Sequence, residues 1–258
     1  MHHLANIYEN LRTTPADWKD LQNKVARLLS EIGYDCEVEK DIQTTRETIN
    51  VDVYAIIHKD IPHSKILCEC KHWIQPVPKT IVHAFRTAVG DFGANYGIII
   101  SKAGFQSGAY EAAKNTNILL MNWEEFEEYF KTRWIKSKTF QVSRETRPLY
   151  DYISAGFLVF FKEQYQKLSP EELKMFDYLN TKYFHFAFHG SNLNYKDFNT
   201  NEFDNRLFDT LYKSAEKEFG QSFSSLEDYY RFIVEKSKEG IQEFDNLFKE
   251  KLRKNDCL

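Results

Sequence analysis

The sequence contains no run of about 18 uninterrupted apolar residues, the length that a helix needs to span a bilayer. Its first residues, Met-His-His-Leu-Ala-Asn, lack the apolar centre of a signal peptide. Cysteine is also scarce: the 4 cysteines are scattered, and a reducing compartment would keep them as thiols, so no disulfide framework is implied. These absences lead us to expect a cytoplasmic protein.

An excess of positive charge is absent as well. The chain has 34 lysines and arginines against 38 aspartates and glutamates, which gives a formal net charge of −4. Proteins that hold nucleic acid through many phosphate contacts usually carry a basic excess. Any nucleic-acid site in this chain must therefore be a locally basic surface.

The first half of the chain alternates helix-like and strand-like segments. Three consecutive strand-like runs with polar punctuation predict an antiparallel meander. The order of the elements predicts an α/β fold, a mixed sheet between helices. The predicted elements are a helix at 17–32, strands at 36–42, 49–58 and 65–71, a helix at 79–92, a strand at 96–100, a helix at 106–114, a strand at 118–121 and a helix from residue 123.

The second half has a different composition, rich in Phe and Tyr and poor in glycine and β-branched runs, which predicts an all-α region. Ser169 and Pro170 form a helix start signal, as do Ser224 and Ser225. Phe157, Phe160, Phe161 and Tyr165 recur at helical spacing and predict a core stripe. We expect two domains, residues 1–135 and 145–258, with the boundary in the polar stretch 136–148.

Three residues in the first half suggest chemistry. In the strand that ends at Lys71, side chains alternate between faces, so Glu69 and Lys71 point together while Cys68 points the other way. Asp52 lies among apolar residues of the preceding strand, where it needs a partner or a metal. If the two strands pair, Asp52 and Glu69 can be neighbours across the sheet.

Two carboxylates at this position are hard oxygen ligands for an ion such as Mg²⁺. Such an ion polarises a phosphodiester and lowers the pKa of its water, and Lys71 beside it would position that nucleophile. Spacing alone also allows a simpler interpretation. In that interpretation Glu69 and Lys71 form the solvated face of an edge strand, and Asp52 is the acid of a buried salt bridge.

Several short motifs follow one another along the first half of the chain. They are residues 21–29 (LQNKVARLL), 32–34 (IGY), 51–53 (VDV), 68–71 (CECK), 89–94 (VGDFGA), 97–101 (GIIIS), 104–109 (GFQSGA), 117–118 (NI) and Trp123. In this order they resemble the Mrr-like branch of the restriction-endonuclease superfamily. The order of the elements matches that family too, and about half of the chain is covered. The resemblance implies a restriction-endonuclease-like mixed sheet flanked by helices.

The resemblance also implies roles for particular residues. Asp52 and Glu69 would be the metal-binding acids of the family's D…(D/E)xK signature and Lys71 its lysine, while Cys70 would contribute only its backbone carbonyl. The ion would be Mg²⁺, with Mn²⁺ as a substitute. Family members often have Glu on the first helix where this chain has Gln22, which can touch a metal-bound water but supplies no charge.

A basic stripe could provide the local positive charge that nucleic acid requires. Lys79, His83 and Arg86 are spaced by four and three residues, so they share one face of the predicted helix and could follow a phosphate backbone. The alternative is an ordinary solvated helix face.

Further contacts with nucleic acid are predicted beside this helix. Gln106 and Ser107 begin the next helix, where backbone amides hold a phosphate or simply cap the helix. His72, directly after Lys71, shapes the cleft or stacks on a base together with Trp73, although a packed Trp is an equal alternative.

Soft-metal sites are less well supported. Cys68 and Cys70 with His72 do not build a tetrahedral zinc site, because no second pair accompanies them. His185 and His189 share a helical face, but no Glu lies between them as a metalloprotease motif requires, and packing in an aromatic segment is the expected role.

The predicted function is a Mg²⁺-dependent DNA endonuclease in restriction or anti-phage defence, as the resemblance implies. A catalytically inactive nucleic-acid-binding or interaction module on the same fold is an alternative, and so is a structure-selective repair nuclease or an RNA-cutting effector. Cutting both strands of DNA requires two active sites or two encounters, and we expect a homodimer. The helical region is expected to bind a regulatory protein, to mediate oligomerisation or to sense the target.

Overall fold

The computed structural model describes residues 14–58, 61–154, 156–192, 213–223 and 225–249. Contacts divide the chain into two compact units, one ending at Ser137 and the other beginning at Lys138. No described helix is long and apolar enough to cross a membrane.

The first unit has the predicted order of elements. They are α1 (Trp18–Glu31), β1 (Asp35–Gln43), β2 (Thr48–Ile57), β3 (Ser64–Lys71), α2 (Lys79–Phe92), β4 (Tyr96–Ser101), α3 (Ser107–Ala113), β5 (Ile118–Met121) and the first part of α4 (Trp123–Ile153).

Helix α1 begins and ends on local signals. The side chain of Asp17 accepts a hydrogen bond from the N–H of Asp20 at 2.8 Å, which satisfies one of the free amides of the first turn. At the other end Gly33 has φ +98°, and the N–H of Tyr34 donates back to the carbonyl of Leu29 at 3.0 Å. This is a Schellman ending, in which glycine adopts the left-handed conformation at no steric cost.

The sheet contains five strands in the order β1-β2-β3-β4-β5. Strands β1, β2 and β3 pair antiparallel, whereas β3, β4 and β5 pair parallel. The predicted meander and mixed sheet are therefore confirmed. Strand β3 lies in the middle of the sheet, and the parallel crossovers from it to β5 are supplied by α2 and α3, as parallel pairing requires.

Helix α2 covers part of the sheet through Val82, Phe85 and Val89, which belong to a buried cluster with residues of β2, β3 and β4. Gly97 of β4 lies beneath this helix. A Cβ atom there would be 2.7 Å from the Val89 and Ile118 side chains and 2.8 Å from Phe85. Glycine at this position therefore allows helix and strand to approach closely.

The second unit is helical, as predicted. After the second part of α4 it contains α5 (Gly156–Phe160), α6 (Lys162–Gln166), α7 (Pro170–Asn192), α8 at 213–219 and α9 (Leu226–Phe248). Ser169 has a reciprocal capping interaction with Glu172, and Ser225 caps α9 by accepting from the N–H of Asp228. Both predicted helix starts thus coincide with the N-termini of observed helices. Ser224 lies outside the described residues.

Helix α4 continues through the polar stretch 136–148, within which the two units divide at residues 137 and 138. Proline inside a helix costs about 3 kcal/mol, and the complete burial of Leu149 and Tyr152 directly after Pro148 offsets that cost. The predicted core stripe was wrong at Phe160, which is 79% exposed at the C-terminal end of α5.

The core of the second unit is aromatic. Tyr152 stacks on Phe244 with ring centroids 4.9 Å apart, and Phe157 lies 5.4 Å from Phe176. His189 is fully buried in a polar network: one ring nitrogen lies 2.9 Å from the Tyr229 hydroxyl and the other 3.0 Å from the Glu218 carboxylate. Its burial lowers the pKa of His189, an effect that Glu218 opposes.

We predict that Gly97→Ala lowers the stability of the first unit by about 1–3 kcal/mol, because the added methyl group would push three packed side chains apart. All four tryptophans lie between Trp18 and Trp134, so denaturant unfolding followed by tryptophan fluorescence reports on this unit.

Gly90→Ala is the matched control. No atom lies within 4 Å of a Cβ at Gly90, and alanine is favoured over glycine inside a helix by about 1 kcal/mol. This variant should be as stable as the parent or more stable. Equal stability of Gly97→Ala and the parent protein would contradict the close approach of α2 and β4.

Candidate active site

The register of β2 and β3 brings the predicted acids to adjacent positions. Val53 pairs with Cys68, and one further step along the antiparallel ladder places Asp52 opposite Glu69. Glu69 and Lys71 are partly exposed, whereas Cys68 and Cys70 are buried. The alternation inferred from the sequence is therefore observed.

Asp52 is held by two hydrogen bonds from different elements. Its Oδ2 accepts from the backbone N–H of Cys70 at 2.6 Å, and its Oδ1 accepts from Nε2 of Gln22 in α1 at 2.7 Å. Both carboxylate oxygens thus have a fixed direction. Hydrogen bonds that N–H groups donate to a carboxylate are among the stronger hydrogen bonds in proteins.

Glu69 lies between a carboxylate and an ammonium group. Its side chain forms an ion pair with Lys71, and the Lys71 ammonium lies 5.0 Å from the centre of the Trp73 ring. Burial raises the pKa of Glu69 and the nearby Asp52 charge adds to this, while Lys71 opposes both. Because two acids face one cation, the centre attracts a further positive charge.

The residues present fit a hard divalent cation. Gln22 is buried, and its Oε1 has no hydrogen-bond partner, although the same amide group donates to Asp52. Asp52, Glu69 and this free amide oxygen form the oxygen-only donor set that Mg²⁺ prefers. In the part of the chain that the structure describes, no group of three or more His, Cys, Asp or Glu residues is arranged to hold a metal.

A cavity of about 330 Å³ opens beside Glu69. Strand β2, helix α2 and the turn between β1 and β2 form its walls. The residues that line it are Thr44, Arg46, Glu47, Ile49, Asn50, Val51, Glu69, Ile81, Ala84, Phe85, Thr87, Ala88 and Asp91.

The turn between β1 and β2 is fastened to the end of α2. The Arg46 guanidinium lies 3.0 Å from the Asp91 carboxylate, and the N–H of Thr45 donates to the Asp91 carbonyl at 3.3 Å. The sequence analysis did not identify this contact. Arg46 and Asp91 are 45 positions apart in the chain, and no motif in the sequence indicates that they pair. The small residues Ala84 and Ala88 are the only local hint of open space along α2.

The predicted basic stripe is exposed on α2, and it includes Lys79, His83 and Arg86. With 3.6 residues per turn, these side chains are rotated on average by about two-fifths of a turn from Ala84 and Ala88, which line the cavity. The stripe and the cavity therefore lie on different faces of the helix. Lys79 lies beside Gly108, because a Cβ there would be 3.5 Å from the lysine Cδ.

The starts of α2 and α3 lie close together, since Val77 and Phe105 form a parallel bridge. Gln106 and Ser107 are exposed, and the Gln106 side chain makes no capping hydrogen bond. His72 is directed elsewhere: its Nε2 lies 3.1 Å from the carbonyl of Pro15. Lys79, Gln106 and Ser107 therefore share one neighbourhood, and His72 contacts the segment before α1.

Together, the mixed sheet, its flanking helices and the acid-x-lysine segment on β3 define a restriction-endonuclease-like fold. Comparison with known families agrees: residues 14–130 match the family model of the Mrr catalytic domain, described as a restriction endonuclease. Over residues 14–130 the chain is thus similar to restriction-type nuclease domains of the Mrr family.

Other comparisons are less informative. No curated protein sequence matches the chain. A solved structure described as a protein of unknown function, AF1548, is 16% identical with a TM-score of 0.38; the match covers 91% of this chain and 100% of that one. The DNA modification-dependent restriction endonuclease AspBHI is 11% identical with a TM-score of 0.28, over 50% of this chain and 34% of that one.

We predict that Glu69→Gln stabilises the first unit at neutral pH. Since the pKa of Glu69 is raised above its ordinary 4.5, the folded state binds this proton more tightly than the unfolded state, and ionised Glu69 lowers stability. The stabilising effect should shrink as the pH falls toward 4.5 and disappear below it, where Glu69 is protonated in both states.

Urea unfolding of both proteins, followed by tryptophan fluorescence across this pH range, measures the effect. Glu111→Gln, at an exposed position of α3, controls for the loss of one negative charge. A Glu69→Gln variant that is less stable than the parent at neutral pH would contradict the proposed destabilising charge.

Proposed function

We propose that this protein is a Mg²⁺-dependent endonuclease that hydrolyses phosphodiester bonds of DNA. The observation that carries the proposal is the meeting of Asp52, Glu69 and Lys71 at one position of a restriction-type nuclease domain. The family makes DNA the substrate to test first, and the oxygen-only donor set favours Mg²⁺, with Mn²⁺ as a substitute.

Asp52, Glu69, the free oxygen of Gln22 and the backbone carbonyl of Cys70 would hold the cation. When bound, a divalent cation polarises the phosphodiester and lowers the pKa of a coordinated water. Gln22 and the Cys70 N–H keep the Asp52 carboxylate in one orientation, so little reorganisation is needed when substrate arrives.

Lys71 would act on the reacting atoms directly. Its ammonium pairs with Glu69 and lies over the Trp73 ring, which limits its freedom and points it at the carboxylate pair. From there it positions the attacking water and donates to the phosphate oxygen on which charge develops. In-line attack on the phosphorus leaves 5′-phosphate and 3′-hydroxyl ends.

DNA would be held by the exposed cationic and polar groups around the starts of α2 and α3. We assign phosphate contacts to Lys79, His83, Arg86, Gln106 and Ser107, and a role in shaping the cleft to His72. Lys79, His83 and Arg86 lie on a different face of α2 from the cavity, so they would hold DNA away from the scissile bond. A homodimer would provide the second active site for duplex cleavage, and restriction or antiviral defence in the cytoplasm is the role we propose.

A catalytically inactive binding module is the second candidate. The observation that favours it is Gln22, at a position where related proteins often carry a glutamate. The Gln22 amide donates a hydrogen bond to Asp52 and adds no charge to the site. Cleavage assays separate the two functions directly.

We predict that the purified full chain cuts plasmid and single-stranded DNA with Mg²⁺ or Mn²⁺ and that EDTA stops cleavage. Asp52→Asn and Lys71→Ala should each reduce the rate at least about a hundredfold, because the first removes a charge that would hold the cation and the second removes a positive charge that would stabilise the transition state. Lys114→Ala, at an exposed lysine after α3, should cut like the parent protein.

Tryptophan fluorescence of each variant checks that the domain is folded. Parallel assays with modified DNA and RNA test the repair-nuclease and RNA-cutting alternatives. A folded protein that binds DNA but cuts no substrate with either metal would favour the binding module.

We further predict that Gln22→Ala weakens Mn²⁺ binding about 10- to 100-fold, the effect typical of losing a residue that orients a metal ligand. The substitution removes both the donor to Asp52 and the free amide oxygen. Electron paramagnetic resonance of free Mn²⁺ measures the affinity without requiring turnover. Asn23→Ala, at the neighbouring exposed amide of α1, is the control, and equal affinity in all three proteins would contradict the role of Gln22.

A further inference from the structure

The cavity beside Glu69 has walls that differ from those of a phosphate site. Ile49 and Val51 of β2 line it together with Ile81, Ala84, Phe85 and Ala88 of α2. These side chains offer apolar contact and no hydrogen-bond donors, and the polar lining residues Thr44, Asn50 and Thr87 already donate to other groups of the protein. A flat, weakly polar group would be desolvated here at little cost, whereas a phosphate would find few free donors in place of its water.

Charge makes the same distinction. Glu47, Glu69 and Asp91 line the cavity, and Arg46 is the single cation among the lining residues. Arg46 is already paired with Asp91. An anionic group that entered would therefore face an excess of negative charge, while an uncharged ring would face none of this repulsion.

The size of the cavity limits what can enter. A volume of about 330 Å³ lies at the lower end of the roughly 300–1,000 Å³ typical of small-molecule sites. The major groove of B-DNA alone is about 12 Å wide, so a stacked duplex cannot occupy this space. One nucleobase that has left its stack can, as in enzymes that extrude a base into a pocket.

The position of the cavity relates such a base to the cleavage site. Glu69 belongs to both the cavity wall and the catalytic group, so a base in the cavity is attached to a nucleotide whose phosphate is close to that group. The fastening of the β1–β2 turn to Asp91 fixes the outer wall, which keeps the space open without a ligand.

We propose that the cavity beside Glu69 receives one unstacked nucleobase of the strand that is cut. The domain then acts on unpaired or locally opened DNA in preference to a fully stacked duplex. This inference rests on the proposed nuclease function, and it adds the class of substrate.

Binding of short oligonucleotides by the full chain tests the proposal, with Ca²⁺ in place of Mg²⁺ and fluorescence anisotropy as readout. The probes are a single strand, the same strand made entirely of abasic sites, and the matching duplex. We expect the single strand to bind about tenfold more tightly than the abasic strand, which corresponds to about 1.4 kcal/mol, and more tightly than the duplex.

A variant that fills the cavity sharpens the test. Ala84 is exposed on α2 and lines the cavity, so Ala84→Trp adds bulk there without disturbing the core. It should abolish the preference for the base-containing strand and leave binding of the abasic strand unchanged. Thr132→Trp places the same side chain at an exposed position of α4, on a helix that does not line the cavity, and should preserve the preference.

Each contrary result overturns the inference. Equal binding of base-containing and abasic strands, stronger binding of the duplex, or no binding of single strands would each do so, as would an Ala84→Trp variant that keeps the preference. Cleavage with Mg²⁺ is measured separately: a protein that cuts duplex DNA and is insensitive to Ala84→Trp retains the proposed function without the base cavity. If the parent protein cuts no DNA with Mg²⁺, the result would instead argue against the proposed nuclease function itself.

Discussion

The candidate site depends on how Asp52 is held. Asp52 is partly buried in the sheet, and the Cys70 N–H and the Gln22 amide each donate to one of its oxygens in place of the water that it loses. These two bonds join β2 to β3 and to α1. They fix the orientation of the carboxylate and the position of α1 against the sheet, so the fold and the site share one constraint.

The second acid is held differently. Glu69 gains an ion pair with Lys71, yet burial and the Asp52 charge still raise its pKa. Two acids and one ammonium leave a local excess of negative charge, which a divalent cation would neutralise. The site therefore lowers the stability of the fold when no cation is bound, an arrangement common where side chains are placed for chemistry and not for packing. The overall acidity of the chain is compatible with this, because only the exposed stripe on α2 has to be basic.

The space beside the acids arises from contacts between parts of the chain that are distant in sequence. Arg46 and Thr45 fasten the β1–β2 turn to Asp91, and small alanines on α2 leave room beneath it. In the helical unit a comparable long-range network connects His189 to Tyr229 and Glu218. His189, predicted to serve packing, is thus anchored by hydrogen bonds that fix its orientation as apolar contact would not. His185, predicted to do the same, is exposed and lies 2.9 Å from the same Glu218 carboxylate.

Local chemistry determined much of this protein. The alternation around Glu69 and Lys71, the caps at Asp17 and Gly33 and the helical second half follow from the sequence, because each depends on residues a few positions apart. Helical spacing failed at Phe160, where a helix ends early, and Pro148 is accommodated inside α4 because the burial of its neighbours against distant partners outweighs the cost of proline. Only the tertiary structure decided that Gln22 donates to Asp52, that Arg46 meets Asp91 and that a cavity lies beside Glu69, since these depend on how separate elements pack and no local pattern records it.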